Sequence, residues 1–234
     1  MIIKVCGMRE LENIREVSRL GVDWIGFIFH PESERYVSQI RSRAGIIPDY
    51  SLFERRGGEK NTADKDVRVK TVGVFVDDMP QNIVTRVVNY SLDIIQLHGS
   101  ESVVIIDNLR NTIDPDIHPG IRIMKTLSIG NADDIKRYKE YEGHVDYFLF
   151  DTKSEQAGGS GKQFDWDMLA EYDGNTPFIL SGGIGPEDAD RIVSLNHPML
   201  AGIDLNSRFE TSPAVKDVEL LREFIEKVRE NEKK

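Results

Sequence analysis

Short apolar segments recur along the chain, and helical patterns of apolar residues lie between them. The segments, rich in Val, Ile and Phe, predict eight β-strands near residues 2–6, 23–29, 70–76, 93–97, 121–125, 146–150, 176–180 and 201–205. Leu11, Ile14 and Val17 share one face of a predicted helix, as do Leu221 and Phe224 near the C-terminus. Near-continuous apolar strands that alternate with helices indicate a parallel sheet covered by helices.

The number of these strand–helix units predicts the fold class. Eight units within 234 residues are typical of an α/β protein with a single domain, a (β/α)8 TIM barrel. The alternation by itself leaves a doubly wound open sheet as the structural alternative.

The connection between the second and third predicted strands departs from the regular alternation of strands and helices. Residues 49–66 are polar and include the sequence Arg55-Arg56-Gly57-Gly58. A loop of this length is either functional or disordered. Its charge and glycine content favour a flexible, solvated connection.

Charge and hydropathy exclude several classes of partner. The chain has 30 Lys and Arg against 40 Asp and Glu, a formal net charge of −10, and no basic run. We therefore expect no nucleic-acid partner and no anionic-membrane partner. No stretch of about 18 apolar residues occurs, and the N-terminus lacks the pattern of a signal peptide. Cys6, the single cysteine, cannot form an intrachain disulfide, so the composition predicts a cytoplasmic protein.

The ends of the predicted strands carry the candidate functional residues. In a (β/α)8 barrel the chemistry lies at the carboxyl ends of the strands. A thiol, two acids, a cation, a histidine and two turns of small residues are predicted to meet there: Cys6, Arg35, His98, Asp151, Gly182, Gly183, Asp204, Asn206 and Ser207. The other four histidines show no metal-ligand spacing, so we expect no metal site.

Cys6 and Asp151 form a candidate acid–base pair. We expect Cys6 to be exposed to the barrel mouth, on the same inward face as Lys4, whose ammonium group favours a thiolate. Burial and a neighbouring thiolate would raise the pKa of Asp151 and keep a proton available for general-acid catalysis. The structural alternatives stay open: Cys6 as a small buried apolar residue, and Asp151 as a cap for the following segment.

Two turns predict a phosphate site. Residues 181–188, Ser-Gly-Gly-Ile-Gly-Pro-Glu-Asp, bring glycine N–H groups and a helix N-terminus to the end of strand seven. Asn206 and Ser207 supply a second turn after strand eight, where barrels often hold a phosphate. A plain strand-to-helix turn explains the glycines but not this pairing.

The remaining polar features admit more than one interpretation. Residues 158–162, Gly-Gly-Ser-Gly-Lys, lack the spacing of a P-loop, so we reject a nucleoside triphosphate site and predict a mobile loop over the active site at 152–163. Arg35 can offer two N–H groups to a carboxylate, although a surface arginine is the commoner case. His98 is equally a hydrogen-bonded rim residue.

Taken together, the segments resemble the N-(5′-phosphoribosyl)anthranilate isomerase family. The resemblance covers almost the whole chain in order and rests on Lys4-Val5-Cys6-Gly7-Met8, Gly26-Phe27-Ile28-Phe29, residues 33–38, 72–76, 95–99, 150–152, 158–166 and 180–184, and Lys216-Asp217. Residues 49–66 look longer than the usual second connection of the family. Arg208 occupies a phosphate-loop position where a small residue is frequent.

The resemblance implies a (β/α)8 enzyme of tryptophan biosynthesis, an isomerase that converts an aminoaldose into an aminoketose by an Amadori rearrangement. It implies that Asp151 is the general acid that protonates the furanose ring oxygen, and that Cys6 is the general base that removes the C2′ proton. Arg35 would hold the anthranilate carboxylate, the two turns would hold the phosphate, and Asp204 would bind or orient the substrate.

The same resemblance bears on cofactors and partners. It implies no cofactor, because the substrate nitrogen and the iminium supply the electron sink. The expected partner is the small-molecule phosphoribosyl anthranilate substrate, and we expect a monomer or a homodimer.

Two other functions stay open. Indole-glycerol phosphate synthase, another phosphosugar barrel enzyme, calls for lysine and glutamate at strand ends, whereas strand one here ends in Cys6. A non-catalytic sensor of phosphoribosyl ligands would need neither Cys6 nor Asp151.

Overall fold

Eight parallel strands close into a barrel in the order in which they occur along the chain. A computed structural model describes residues 1–38, 69–153 and 163–231. The strands are β1 Ile2–Val5, β2 Trp24–Ile28, β3 Lys70–Phe75, β4 Ile94–Leu97, β5 Arg122–Ile129, β6 Tyr147–Thr152, β7 Phe178–Leu180 and β8 Leu200–Leu205. Because β1 pairs with β8 from Ile2↔Gly202 to Val5↔Leu205, the sheet has no free edge. The predicted (β/α)8 barrel is confirmed, and the open sheet is excluded.

Helices cover the outside of the barrel. They are α1 Leu11–Ser18, α2 Pro80–Tyr90, α3 Val103–Ile113, α4 Ala132–Lys136, α5 Ala189–Ser194 and α6 Val218–Asn231. A 3₁₀ helix, Trp166–Glu171, lies between β6 and β7. The helical faces predicted from the sequence are buried, as Ile14 on α1 and Phe224 on α6 illustrate. No helix in the described ranges is long and apolar enough to span a bilayer. The segment 49–66 lies outside the described residues.

A small hairpin that the sequence did not predict follows β8. Its strands, β9 Glu210–Ser212 and β10 Val215–Lys216, pair antiparallel. The side chain of Asn13 on α1 holds β10 in place, because it donates to the carbonyl of Lys216 at 2.9 Å and accepts from its N–H at 2.7 Å. The hairpin therefore lies beside the start of α1, close to the end of β1.

The interior of the barrel changes from apolar to polar toward the carboxyl ends of the strands. A layer of buried apolar side chains fills the lower part: Trp24, Val72, Ile94, Met124, Leu149 and Ile179. Side chains two positions apart on a strand point to the same side. Gln96, Thr126 and Asp151 therefore follow Ile94, Met124 and Leu149 on the inner face. The apolar layer fills the barrel at the amino ends of the strands, and the polar groups face the mouth at the carboxyl ends.

Candidate active site

Cys6 lies directly after β1, where its N–H donates to the carbonyl of Leu205 at 2.8 Å. The side chain is only 4% exposed, so the expectation of an exposed thiol is wrong. The sulfur has room because residue 26 is glycine: a Cβ atom there would lie 2.7 Å from Sγ. Gly26 thus explains why β2 passes so close to the end of β1.

Lys4 forms a buried ion pair with Asp204, with 2.8 Å between Nζ and Oδ2. Burial alone would lower the pKa of Lys4, but Asp204 and Cys6 outweigh it and raise that pKa, so Lys4 is charged. For Cys6 the balance goes the other way: burial raises the pKa of the thiol and outweighs the attraction of Lys4. The ammonium expected to favour a thiolate is shared with a carboxylate, and the free protein holds Cys6 as a thiol.

Asp151 lies within β6, one residue before its end. Its Oδ1 accepts a hydrogen bond from the N–H of Thr152 at 3.0 Å. Its Oδ2 is 3.5 Å from Nε2 of His98, and the two side chains are 26% and 31% exposed. The alternative role of Asp151, as a cap for the following segment, concerns residues 154–162, which lie outside the described residues. The structure brings the predicted acid and the predicted histidine together at the mouth.

Two buried oxygen atoms near this mouth have no hydrogen-bond partner among the described residues. They are Oδ1 of Asp204 and Oε1 of Gln96. The amide nitrogen of Gln96 donates to Thr126 Oγ1 at 3.1 Å and lies 3.4 Å from Nδ1 of His98. A buried acceptor without a donor costs free energy. Both oxygens are therefore suited to accept hydroxyl groups of a ligand.

Arg35 is buried and belongs to a cluster that the sequence analysis missed. Its Nε and Nη2 donate to the carboxylate of Glu210 on β9, at distances from 2.6 to 3.1 Å. Lys216 on β10 donates to the same carboxylate at 2.5 Å and to Oδ1 of Asn206 at 2.8 Å. Burial alone would raise the pKa of Glu210, but the hydrogen bonds of Arg35 and Lys216 outweigh it and hold that pKa below the usual value. Arg35 is not a surface arginine.

The residues of this cluster are visible in the sequence, but no local pattern links them. Lys216 belongs to a segment of the family resemblance, and Glu210 lies five residues after the last predicted strand. Alternating charges in a short polar segment are ordinary at a surface. Only the hairpin, which folds β9 and β10 back over the end of β1, buries them.

The turn after β7 has the backbone geometry of an anion site. Gly182 and Gly183 have φ angles of 91° and 69°. A Cβ atom on Gly182 would lie 2.2 Å from Oγ1 of Thr152, so only glycine fits. The N–H groups of these two glycines form no hydrogen bond within the described ranges. By contrast, the N–H of Gly185 is already bound by Asp188 at 2.7 Å.

The turn after β8 contains Asn206 and Ser207, which the sequence predicts as the second half of a phosphate site. Ser207 is partly exposed, while Oδ1 of Asn206 is occupied by Lys216. Arg208 pairs with Glu187 of the preceding turn, with 2.5 Å between Nη2 and Oε1. Arg208 thus links the two turns from their exposed side. The predicted mobile loop falls largely on residues 154–162, outside the described residues.

The described residues hold no group of three His, Cys, Asp or Glu side chains arranged to bind a metal ion. The charged groups of the mouth are instead paired with each other. Lys4 pairs with Asp204, while Arg35 and Lys216 share the single carboxylate of Glu210, so that this cluster of three residues has one positive charge in excess. An anionic ligand would balance it.

Comparison with known proteins decides the family. Residues 56–227 match the family model described as N-(5′-phosphoribosyl)anthranilate (PRA) isomerase. The chain belongs to the phosphoribosylanthranilate isomerase family. A relative named N-(5′-phosphoribosyl)anthranilate isomerase, from Parabacteroides distasonis, is 44% identical, and the match covers 97% of this chain and 93% of that protein.

Solved structures of phosphoribosylanthranilate isomerases agree with this assignment. The crystal structure from Thermotoga maritima has a TM-score of 0.78 and 29% identity, over 98% of this chain and 100% of that one. Another was solved in complex with reduced 1-(o-carboxyphenylamino)-1-deoxyribulose 5-phosphate. It has a TM-score of 0.72 and 26% identity, over 98% and 100% of the two chains.

Proposed function

We propose that this chain catalyses the Amadori rearrangement of N-(5′-phosphoribosyl)anthranilate to 1-(2-carboxyphenylamino)-1-deoxyribulose 5-phosphate, the aldose–ketose isomerisation of L-tryptophan biosynthesis. One observation carries the proposal. This chain belongs to the isomerase family, and the mouth of its barrel has both the thiol of Cys6, after β1, and the partly exposed carboxyl group of Asp151 on β6. A reaction that needs one proton donor and one proton acceptor can use this pair.

Asp151 is the general acid of the first step. It gives a proton to the furanose ring oxygen, the ring C1′–O bond breaks, and the nitrogen lone pair forms the C1′=N iminium. The open mouth and the partly exposed carboxyl group support this role, since a general acid must reach the substrate. His98, 3.5 Å away, can donate a hydrogen bond to the carboxylate that remains.

Cys6 is the general base of the second step. Its sulfur takes the C2′ proton, the C2′–H electrons form the C1′=C2′ bond, and the iminium nitrogen accepts the displaced pair. The resulting enolamine tautomerises to the ketone. Burial holds the pKa of this thiol up in the free protein, and the positive iminium, together with Lys4, lowers it. Once the ring has opened, the thiol gives its own proton to water at the barrel mouth, and the resulting thiolate is the base.

The remaining predicted residues hold the substrate. The N–H groups of Gly182 and Gly183, which form no hydrogen bond to another described residue, bind the phosphate together with the hydroxyl group of Ser207, with Asn206 beside them. Oδ1 of Asp204, which has no hydrogen-bond partner in the described part of the chain, accepts a ribose hydroxyl. Arg35 binds the anthranilate carboxylate. In a protein of net charge −10, the excess positive charge of the Arg35–Lys216–Glu210 cluster supplies local attraction for an anionic substrate.

Several finer expectations remain predictions: a cytoplasmic location, a monomer or a homodimer, and the absence of nucleic-acid and membrane partners. The residues of the site distinguish the two rival functions. A synthase would use lysine and glutamate at strand ends. Lys4, the lysine on β1, is paired with Asp204, so it is not available for that chemistry. A sensor would need no acid beside its ligand.

A fluorescence assay tests the proposed function. Phosphoribosyl anthranilate is generated in situ, purified protein is added, and the adduct is followed with and without indole-glycerol phosphate synthase as the coupling enzyme. We expect the adduct to be consumed, and indole-glycerol phosphate to form only when the coupling enzyme is present. A synthase would leave the adduct unconsumed and would form indole-glycerol phosphate only when 1-(2-carboxyphenylamino)-1-deoxyribulose 5-phosphate is supplied instead. Saturable binding without turnover would identify a sensor.

A further inference from the structure

In the part of the chain that the structure describes, the guanidinium of Arg35 is bound along one edge, by Glu210. Glu210 takes its Nε and one N–H of Nη2, with contacts between 2.6 and 3.1 Å. No hydrogen bond of Nη1 is found among the described residues. The end of the guanidinium, formed by Nη1 and the second N–H of Nη2, therefore stays available. This is the edge that binds a carboxylate through two hydrogen bonds.

Glu210 is fixed too firmly to leave when a ligand arrives. Its side chain is 5% exposed, and it accepts from Lys216 at 2.5 Å and from the N–H of Ala214 at 3.2 Å. Displacing it from Arg35 would remove the charged hydrogen bonds of the guanidinium from a buried carboxylate, which is costly. A substrate carboxylate is thus expected to add to the Arg35–Glu210 pair rather than replace Glu210.

The same cluster connects the two ends of the site. Lys216 donates both to Glu210 and to Oδ1 of Asn206, which lies in the turn after β8. Two cations and one carboxylate leave the group of Arg35, Lys216 and Glu210 with one positive charge in excess.

On the basis of the proposed function, we propose that Glu210 is a positioning residue that determines recognition of the anthranilate carboxylate. It is anchored by Lys216 and orients Arg35 so that the Nη1 edge faces the substrate. Glu210 does not touch the substrate itself.

Ligand discrimination tests this role without turnover. Calorimetry compares two ligands, reduced 1-(o-carboxyphenylamino)-1-deoxyribulose 5-phosphate and the same molecule without the carboxyl group. In the native protein the carboxylate ligand should bind more tightly. In Glu210→Gln this preference should fall about tenfold, the effect of misplacing one charged hydrogen-bond pair. Removing a negative charge would by itself strengthen carboxylate binding, so a loss reports orientation.

Two further variants separate positioning from a general loss of structure. Asp146→Asn disrupts another carboxylate that is paired with two arginines, Arg110 and Arg122. Asp146 lies before β6, at the end of the barrel away from the mouth, so the variant should leave the preference for the carboxylate ligand unchanged. The double variant Arg35→Lys/Glu210→Gln should show no smaller preference than Arg35→Lys alone, because Glu210 acts through Arg35.

The outcomes are distinct. An unchanged or increased preference in Glu210→Gln, or equal weakening of both ligands, overturns the inference. If Glu210→Gln does not fold, Glu210→Asp, which keeps the charge but shortens the side chain, carries the same test. If the native protein binds neither ligand, the proposed function itself fails.

Discussion

Nε2 of His98, after β4, lies 3.5 Å from Oδ2 of Asp151 on β6, so a histidine and a carboxyl group share the mouth of the barrel. The other ring nitrogen of His98 is 3.4 Å from the side-chain nitrogen of Gln96. The histidine is thus placed between a buried amide and an accessible acid. In the proposed mechanism, this position allows His98 to stabilise the carboxylate that Asp151 becomes as the general acid.

Asp151→Asn should abolish most of the turnover without loss of folding. The amide has nearly the same shape but cannot give a proton to the ring oxygen, and a general acid is worth about 10²–10⁴ in rate. We expect kcat to fall by that factor, measured by the fluorescence assay.

Asp146→Asn is the matched control, because Asp146 precedes the same strand at its other end and binds Arg110 and Arg122. It should lower the melting temperature and leave kcat nearly unchanged. A substantial fraction of native kcat in Asp151→Asn would show that this carboxyl group is not the acid.

Arg35→Lys should raise KM and change kcat little. Lysine keeps the charge but loses the planar group that binds Glu210 on one edge and a carboxylate on the other. Steady-state kinetics should show KM higher by about tenfold, the value of one charged hydrogen bond. Arg122→Lys, at the opposite end of the barrel, should leave KM at the native value. An unchanged KM in Arg35→Lys would move the carboxylate site elsewhere.

How much of this could be foreseen from the sequence depends on the range of the interactions. The strands were predictable because each is a short apolar run, and the rim residues because they end such runs. β6 illustrates both, since Asp151 follows Phe150 directly. The burial of Cys6 was not predictable, because it depends on Gly26 in the next strand and on the closed barrel.

The Glu210 cluster could not be predicted either, because its residues are far apart in the sequence. Arg35 and Glu210 are 175 positions apart in the chain, so no local pattern pairs them. Their contact depends on the barrel closing β8 onto β1 and on the hairpin folding back. The charge of each residue was visible, but its partner was a property of the topology.

Because Glu210 is paired with Arg35 and Lys216, part of the free energy of unfolding should depend on pH. Its pKa is depressed in the folded protein, so its contribution is complete above the ordinary glutamate pKa of about 4.3 and is lost as the pH falls through the lower folded value. Urea unfolding at a series of pH values compares the native protein with Glu210→Gln. At neutral pH the variant should be about 3 kcal/mol less stable, as expected when a buried ion pair loses one partner. The difference should shrink as the pH falls below 4. A difference independent of pH would contradict the pairing.

Gly26→Ala should damage the reaction more than the fold. A Cβ atom at this position would lie 2.7 Å from the sulfur of Cys6, so the thiol must move. Overpacking of this kind costs about 1–3 kcal/mol, whereas a displacement of about 1 Å can cost about 10²-fold in rate. We expect a folded protein with kcat lowered about tenfold or more. Native kcat in a stable Gly26→Ala variant would show that the position of the sulfur does not limit the reaction.

The central claim is that the sulfur of Cys6 removes the C2′ proton, and Cys6→Ser tests it most directly. The hydroxyl group keeps the shape of the site but is far too weak an acid to supply a base near neutral pH. The decisive measurement is kcat of Cys6→Ser in the coupled fluorescence assay, with calorimetry of reduced 1-(o-carboxyphenylamino)-1-deoxyribulose 5-phosphate on the same preparation. We expect native affinity for this ligand and kcat lowered by about 10²–10⁴. Turnover close to native in a variant that binds the ligand would contradict the assignment of Cys6 as the base.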